Sequence, residues 1–172
     1  YDLENPSLND RPAGTPFALI IAPTRELVLQ ICSDAEGLAA NTGIQVISVV
    51  GGMDYEKQKK QLQKPVGIVV ATPGRLLDFC RSNVINLSHV ESLVIDEADR
   101  MLSMGFNPDV KAIIQRTPKK HHRQTQLFSA TFSEDIKRLA ASWTLNPIHI
   151  DIEPEKVAVD SVEQIVYLTS ED

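Results

Sequence analysis

Sulfur chemistry is scarce in this chain: two cysteines, Cys32 and Cys80, and three methionines. The cysteines stand far apart with no paired Cys or His spacing, which excludes a disulfide framework and a zinc knuckle and leaves buried thiols in a reducing cytoplasm. Positive charge is not in excess either. Seventeen Lys and Arg face twenty-three Asp and Glu, a net charge of −6, so a broad basic face tracking many phosphates is excluded while local phosphate contacts are not. The longest strongly apolar runs, such as residues 17–22, fall far short of the roughly 20 residues of a membrane span, so the chain reads as soluble with no membrane partner. No basic, then apolar, then small-residue opening resembles a secretion signal. Neither Gly-x-Ser-x-Gly nor His-Glu-x-x-His occurs, which removes two common hydrolase readings. His89, His121, His122 and His149 show no ligand spacing, and the run from Lys119 to Arg123 reads as a solvated charge cluster. Trp143, the only tryptophan, closes a helix and reads as core with a wet edge.

What is present suits one globular domain. The 172 residues leave no room for a second full domain, and 42% apolar with 23% charged residues is enough to form a packed core. Short runs rich in Ile, Val and Leu recur at 17–22, 44–50, 67–71, 92–96, 126–129 and 148–152 and read as buried strands. Amphipathic stretches at 25–40, 54–63, 74–81, 109–116 and 134–143 read as helices between them. Thr72 before Pro73 predicts a helix start, as does Ser133 before Glu134 and Asp135. Apolar strands alternating with helices predict a mostly parallel sheet covered on both faces, a three-layer α/β domain. Residues 1–16, with Pro6, Pro12, Gly14 and Pro16, read as a connector, and 17–152 as the domain. Residues 153–172 read as a linker in which 162–169 is strand-like, the entrance to a further domain.

Ligands of an open parallel sheet bind beyond the carboxyl ends of the strands, and here those positions carry small, hydroxylic or charged groups. Leu93-Val94-Ile95 runs into Asp96-Glu97, as a Walker-B segment does when it holds magnesium over nucleotide phosphates. Asp96 is suited to hold the ion, through water, and Glu97 to orient or deprotonate an attacking water. Gly51-Gly52 lets the main chain approach a sugar-phosphate strand, because backbone N–H groups hold phosphates without net positive charge. The hydroxyls of Thr24 and Thr72 and the guanidinia of Arg25 and Arg75 add donors, so an acidic protein can still bind nucleic acid through its backbone. Taken singly, Gly-Gly is most often only a turn and an exposed Arg only a solvated charge; their shared position on one sheet edge gives them meaning.

In these residues and their order the sequence resembles the DEAD-box family of ATP-dependent RNA helicases. The name is spelled at Asp96-Glu97-Ala98-Asp99. In the family's order it is preceded by Ala22-Pro23-Thr24-Arg25-Glu26-Leu27, Gly51-Gly52 and Thr72-Pro73-Gly74-Arg75, and followed by Ser129-Ala130-Thr131. The strings Asp99-Arg100-Met101-Leu102 and Met104-Gly105-Phe106 look like the bacterial RhlB and RhlE type. The resemblance implies a RecA-like domain of the P-loop NTPase type, in which Asp96 and Glu97 serve magnesium, ATP and water activation. It further implies that Asp99, Ser129 and Thr131 couple hydrolysis to domain closure, and that Pro23, Thr24, Arg25, Gly51, Gly52, Thr72, Pro73, Gly74 and Arg75 hold RNA.

The departures carry expectations too. None of the eight glycines is followed by Lys, so the family's Gly-x-x-x-x-Gly-Lys-Thr loop is not in this chain. With Tyr1 in place of Met at its start, the chain reads as a piece of a longer cytoplasmic helicase, a RecA-like domain incomplete at its N-terminal side. Its remaining N-terminal part and second RecA-like domain are expected in the parent, and the piece alone is expected to be inactive. The competing expectation is a non-catalytic RNA-binding or scaffold domain of helicase-like fold.

Overall fold

The computed structural model describes residues 11–152. Five strands, β1 (Ala18–Ile21), β2 (Val46–Val49), β3 (Ile68–Ala71), β4 (Ser92–Ile95) and β5 (Gln124–Leu127), form one parallel sheet in the order β2-β3-β1-β4-β5. Between them run α1 (Arg25–Ala39), α2 (Tyr55–Leu62), α3 (Pro73–Arg81), α4 (Ala98–Ser103) and α5 (Asn107–Ile114), with α6 (Glu134–Trp143) after β5. This is the α/β architecture that alternating apolar strands and amphipathic helices demand, since parallel neighbours need a crossover and the crossover helices must cover the faces.

The strand side chains divide by parity. Leu19, Ile21, Ile47, Val49, Val69, Ala71, Leu93 and Ile95 point to one face, where Leu62, Leu76, Phe79, Met101, Ile113 and Ile136 from α2 to α6 meet them in the main core. Val70 and its neighbours point to the other face, where Val28 and Cys32 of α1 complete a second, smaller cluster. Burial in apolar surroundings pushes the Cys32 and Cys80 thiols up to about 11, with the Glu36 carboxylate adding to the rise at Cys32, so both are inert thiols at neutral pH. Among the described residues, no helix is long and apolar enough to cross a membrane.

The register sets the functional edge. Ile21 pairs with Ala71 and with Ile95, Val49 with Ala71, and Ile95 with Leu127, so all five strands end on one row. The turns that follow lie side by side along the edge in the order 50–54, 72–75, 23–25, 96–99 and 128–131. Backbone bonds stitch them: Thr72 N–H donates to the Val49 carbonyl at 3.0 Å, Asp96 N–H to Ile21 at 2.9 Å, and Ala98 N–H to Phe128 at 3.0 Å.

Several expectations need adjusting. The fifth strand is Gln124–Leu127, two residues earlier than expected, because its polar pattern as an edge strand hides it from an apolar count. The short helix α4, directly behind the acidic turn, was not expected at all. Residues 148–152 alternate as a strand would, yet they form none. Ile148, Ile150 and Ile152 are 86–90% exposed, and a strand exists only where a neighbour takes its N–H and C=O groups. Residues 11–16 are packed: Arg11 donates to the His89 carbonyl at 2.7 Å and ion-pairs with Glu91, and Gly14, Thr15 and Pro16 are buried. The expectations for residues 1–10 and for the linker and strand-like segment after residue 152 lie outside the described residues.

Candidate functional site

On one half of the edge stand the turns after β1, β2 and β3. Thr24 caps α1, its side-chain oxygen accepting from Leu27 N–H at 3.3 Å, and among the described residues its hydroxyl donates to no acceptor. Thr72 occupies the corresponding place before α3, with Pro73 at the first helical position as expected, but its hydroxyl makes no capping bond and has no partner among the described residues. Gly74 is exposed, with no atom within 4 Å of where a Cβ would stand, so a ligand backbone could approach it closely.

Gly51 and Gly52 are both exposed. Gly52 has a φ of +72°, a conformation that L side chains adopt at a cost of about 1–2 kcal/mol, and a Cβ there would stand 3.3 Å from Nη1 of Arg25. The exposed Arg25 side chain therefore leans across from α1 onto the glycine turn, so the positive charge of one motif lies against the open backbone of another. The sequence placed these two on one edge; their contact is a finding of the fold.

The turn rests on a residue that the sequence reading passed over. Gln58 in α2 is 3% exposed and faces the backbone of residues 50–54. Its Oε1 accepts from Val50 N–H at 2.9 Å, and its Nε2 lies within reach of the carbonyls of Val50 (3.2 Å), Asp54 (3.2 Å) and Met53 (3.4 Å). Arg75 is engaged with the same turn. Its Nη1 donates to the Met53 carbonyl at 3.3 Å, and its guanidinium lies 5.4 Å from the Tyr55 ring and 5.8 Å from the Phe79 ring. Only the position of Gln58, four residues into the helix after the glycine pair, could have drawn attention to it.

The other half of the edge is acidic. Asp96 directly follows β4 and is partly exposed, with Oδ1 accepting from Glu97 N–H at 2.9 Å and Oδ2 without a protein partner among the described residues. Glu97 follows in the left-handed region, φ +48° and ψ +50°, a strained place for a non-glycine residue, and its Oε2 pairs with Nη1 of Arg100 at 3.1 Å. One hard, partly exposed carboxylate oxygen suits magnesium, which takes one or two carboxylates and keeps several waters.

Asp99 joins this turn to the next. Its Oδ2 accepts from Thr131 N–H at 3.0 Å and from Thr131 Oγ1–H at 2.9 Å, and its Oδ1 from Arg100 N–H at 3.0 Å. Burial pushes the Asp99 carboxyl upward, but the bonds from the Thr131 hydroxyl and from the Arg100 and Thr131 N–H groups together outweigh it and hold the group below its ordinary value. Thr131 thus meets Asp99 as expected. Ser129 contributes less directly: its Oγ donates to the Thr131 carbonyl at 2.8 Å and orders the turn from within.

Elsewhere, Arg123 leaves the expected solvated cluster. It is partly buried and holds Thr117 Oγ1 at 2.7 Å, Thr125 Oγ1 at 3.0 Å and the Trp143 carbonyl at 3.2 Å, a structural anchor at the far end of the sheet. Trp143 is core, 7% exposed.

Residues 5–139 match the family model of the DEAD/DEAH box helicase. The chain is 56% identical over 166 residues to an ATP-dependent RNA helicase RhlB of Pseudomonas aeruginosa, covering 96% of this chain and 42% of that protein. It is 45% identical to an ATP-dependent RNA helicase RhlB of Shewanella frigidimarina, covering 94% of this chain and 38% of that one. Its fold is similar to the crystal structure of the yeast DEAD-box splicing factor Prp28, with TM-score 0.71 and 38% identity over 76% of this chain and 31% of that chain. The chain thus spans less than half the length of these relatives.

Proposed function

The chain belongs to the DEAD/DEAH box helicase family, and on that premise we propose that it forms part of a cytoplasmic ATP-dependent RNA helicase. The observation that carries this reading is the division of one sheet edge into an open, donor-rich half and an acidic half, joined through strands β1 and β4 in register.

The donor-rich half holds single-stranded RNA by its backbone. Thr24 and Arg25, the Gly51-Gly52 turn, and Thr72 and Gly74 form a surface of hydroxyls, backbone N–H groups and a guanidinium, while the buried Pro23 and Pro73 shape the turns that carry it and Arg75 braces the glycine turn through the Met53 carbonyl. Such contacts position a strand without selecting a sequence. On the acidic half, Asp96 would hold magnesium through water, and Glu97 would accept a proton from the attacking water. A bound magnesium supplies charge neutralisation on the phosphate oxygens. The Arg100 guanidinium holds one oxygen of the Glu97 carboxylate, Oε2, in an exposed ion pair and leaves Oε1 for a water. Asp99, Ser129 and Thr131 would tie the state of the acidic turn to the turn after β5, through which closure of a second domain is felt. The remaining phosphate contacts would come from a phosphate-binding loop outside these 172 residues.

The experiment is RNA stimulation of ATP hydrolysis by the intact protein, comparing ribo- and all-deoxy oligonucleotides. Hydrolysis that rises with RNA and not with the deoxy strand supports the proposal. RNA binding with no hydrolysis by the intact protein would instead favour a non-catalytic RNA-binding or scaffold domain.

A further inference from the structure

Two side chains grip the Gly51-Gly52 turn from different sides. Gln58, 3% exposed, is a buried polar group whose whole amide is spent on the backbone of residues 50–54. Burying an amide is unfavourable unless it is fully bonded, so this arrangement is tolerated only where it fixes something. Arg75 reaches the turn from α3, and its Nη1 meets the Met53 carbonyl that Gln58 also approaches, at 3.3 and 3.4 Å. The guanidinium lies over Tyr55 and Phe79, whose rings are 4.7 Å apart, and the Tyr55 hydroxyl is 3.1 Å from Ser82 Oγ. Arg75 is thus held on the protein by a carbonyl and two rings, while Arg25, with no such bed, lies exposed against Gly52.

We propose that Gln58 and Arg75 are positioning residues that clamp the Gly51-Gly52 turn in its RNA-receiving form, with the Arg75 guanidinium serving the Met53 carbonyl and not a phosphate. The inference rests on the RNA-holding reading of this edge. Its physical content is preorganisation. Two glycines in sequence lose more backbone freedom on ordering than other residues, and a turn that must be ordered by RNA binds it more weakly than one already fixed. A lysine at position 75 keeps the charge but lacks the planar fork that spans a carbonyl while stacking on two rings.

The test measures affinity of the intact protein for a single-stranded oligouridylate across a salt series, with thermal melts of each variant. A direct phosphate ligand contributes about 0.7 to the logarithmic salt slope of single-strand binding, and a positioning residue contributes nothing to it. Arg75→Lys and Gln58→Met should each weaken binding roughly three- to tenfold, the effect of about one lost hydrogen bond, with unchanged slope. Tyr55→Leu, which removes no charge, should act in the same direction. Gly52→Ala already displaces the turn, so adding Arg75→Lys to it should weaken binding less than additively. Wild-type affinity in Arg75→Lys, or a slope lowered by Arg75→Ala together with additive effects, would overturn the clamp. So would melts lowered by Gln58→Met and Tyr55→Leu with RNA affinity unchanged well below the transition. Arg25→Ala separates this from the underlying reading: if it leaves affinity and slope untouched, the RNA-holding surface itself is misplaced, whatever the clamp variants do.

Discussion

Replacing Ser129 and Thr131 together by alanine tests the joint between the acidic turn and the turn after β5. The change removes the Thr131 hydroxyl bond to Asp99 at 2.9 Å and the Ser129 hydroxyl bond to the Thr131 carbonyl at 2.8 Å, and leaves the Thr131 N–H bond to Asp99 at 3.0 Å. A hydrogen bond to a charged group contributes about 1.5–3 kcal/mol where water is excluded, but Thr131 is exposed and Asp99 only partly buried. Discounted for solvent screening, the loss is about 1 kcal/mol, or roughly 2–4 °C in the melting temperature of a domain this size. Its pH dependence has a definite sign. Asp99 titrates below its ordinary 3.8 in the folded chain, so its bonds contribute stability above that value and lose it as pH falls through the lowered one. The gap between wild type and variant should therefore be full at neutral pH and close in acid. In the intact protein the variant should keep most of its RNA-stimulated ATP hydrolysis and open fewer short duplexes per ATP, because the chemistry at Asp96 and Glu97 is untouched while the link through Asp99 is loosened. An unchanged number of ATP molecules consumed per duplex opened would refute the coupling role. A larger loss of stability that persists in acid would refute the assignment to Asp99.

Further outcomes follow from the same edge. Glu97→Gln keeps side-chain shape at a strained backbone position and removes the base, so hydrolysis by the intact protein should fall by about two to four orders of magnitude while ATP binding survives; near-normal turnover would remove Glu97 from the chemistry. Arg25→Ala should weaken every single-stranded RNA about equally and lower the salt slope by about 0.7, measured by titration at several salt concentrations. A base preference gained or lost in that variant would contradict backbone recognition. Isothermal titration of the 172 residues with ATP and magnesium should show nothing tighter than about millimolar, because Asp96 alone holds magnesium weakly and the phosphate-binding loop is not among these residues.

How much of this was legible in the sequence depended on how local each signal is. A strand followed by a chemically marked turn is a contiguous string, so Asp96, Glu97, Gly51, Gly52, Thr24 and Thr72 could be named and assigned to one sheet edge from order alone. Contacts that the fold makes between distant strings could not. Gln58 reads as one more polar residue in a lysine-rich helix until Val50 and Met53 fold back over it, and Arg75 reads as a phosphate donor until Tyr55 and Phe79 close beneath it. The alternating isoleucines at 148, 150 and 152 show the opposite error. Their apolar run predicts a buried strand and none forms, because sheet membership is decided by a neighbouring edge, which a single segment does not encode.

The most direct measurement is amide hydrogen exchange of the intact protein with and without single-stranded RNA in the presence of a non-hydrolysable ATP analogue. Residues 23–25, 50–54 and 72–75 should become protected together on adding RNA, with the basic loop at 119–123 unchanged. Protection centred on residues 119–123 or on α5 and α6, with the three turns exchanging as before, would contradict the account.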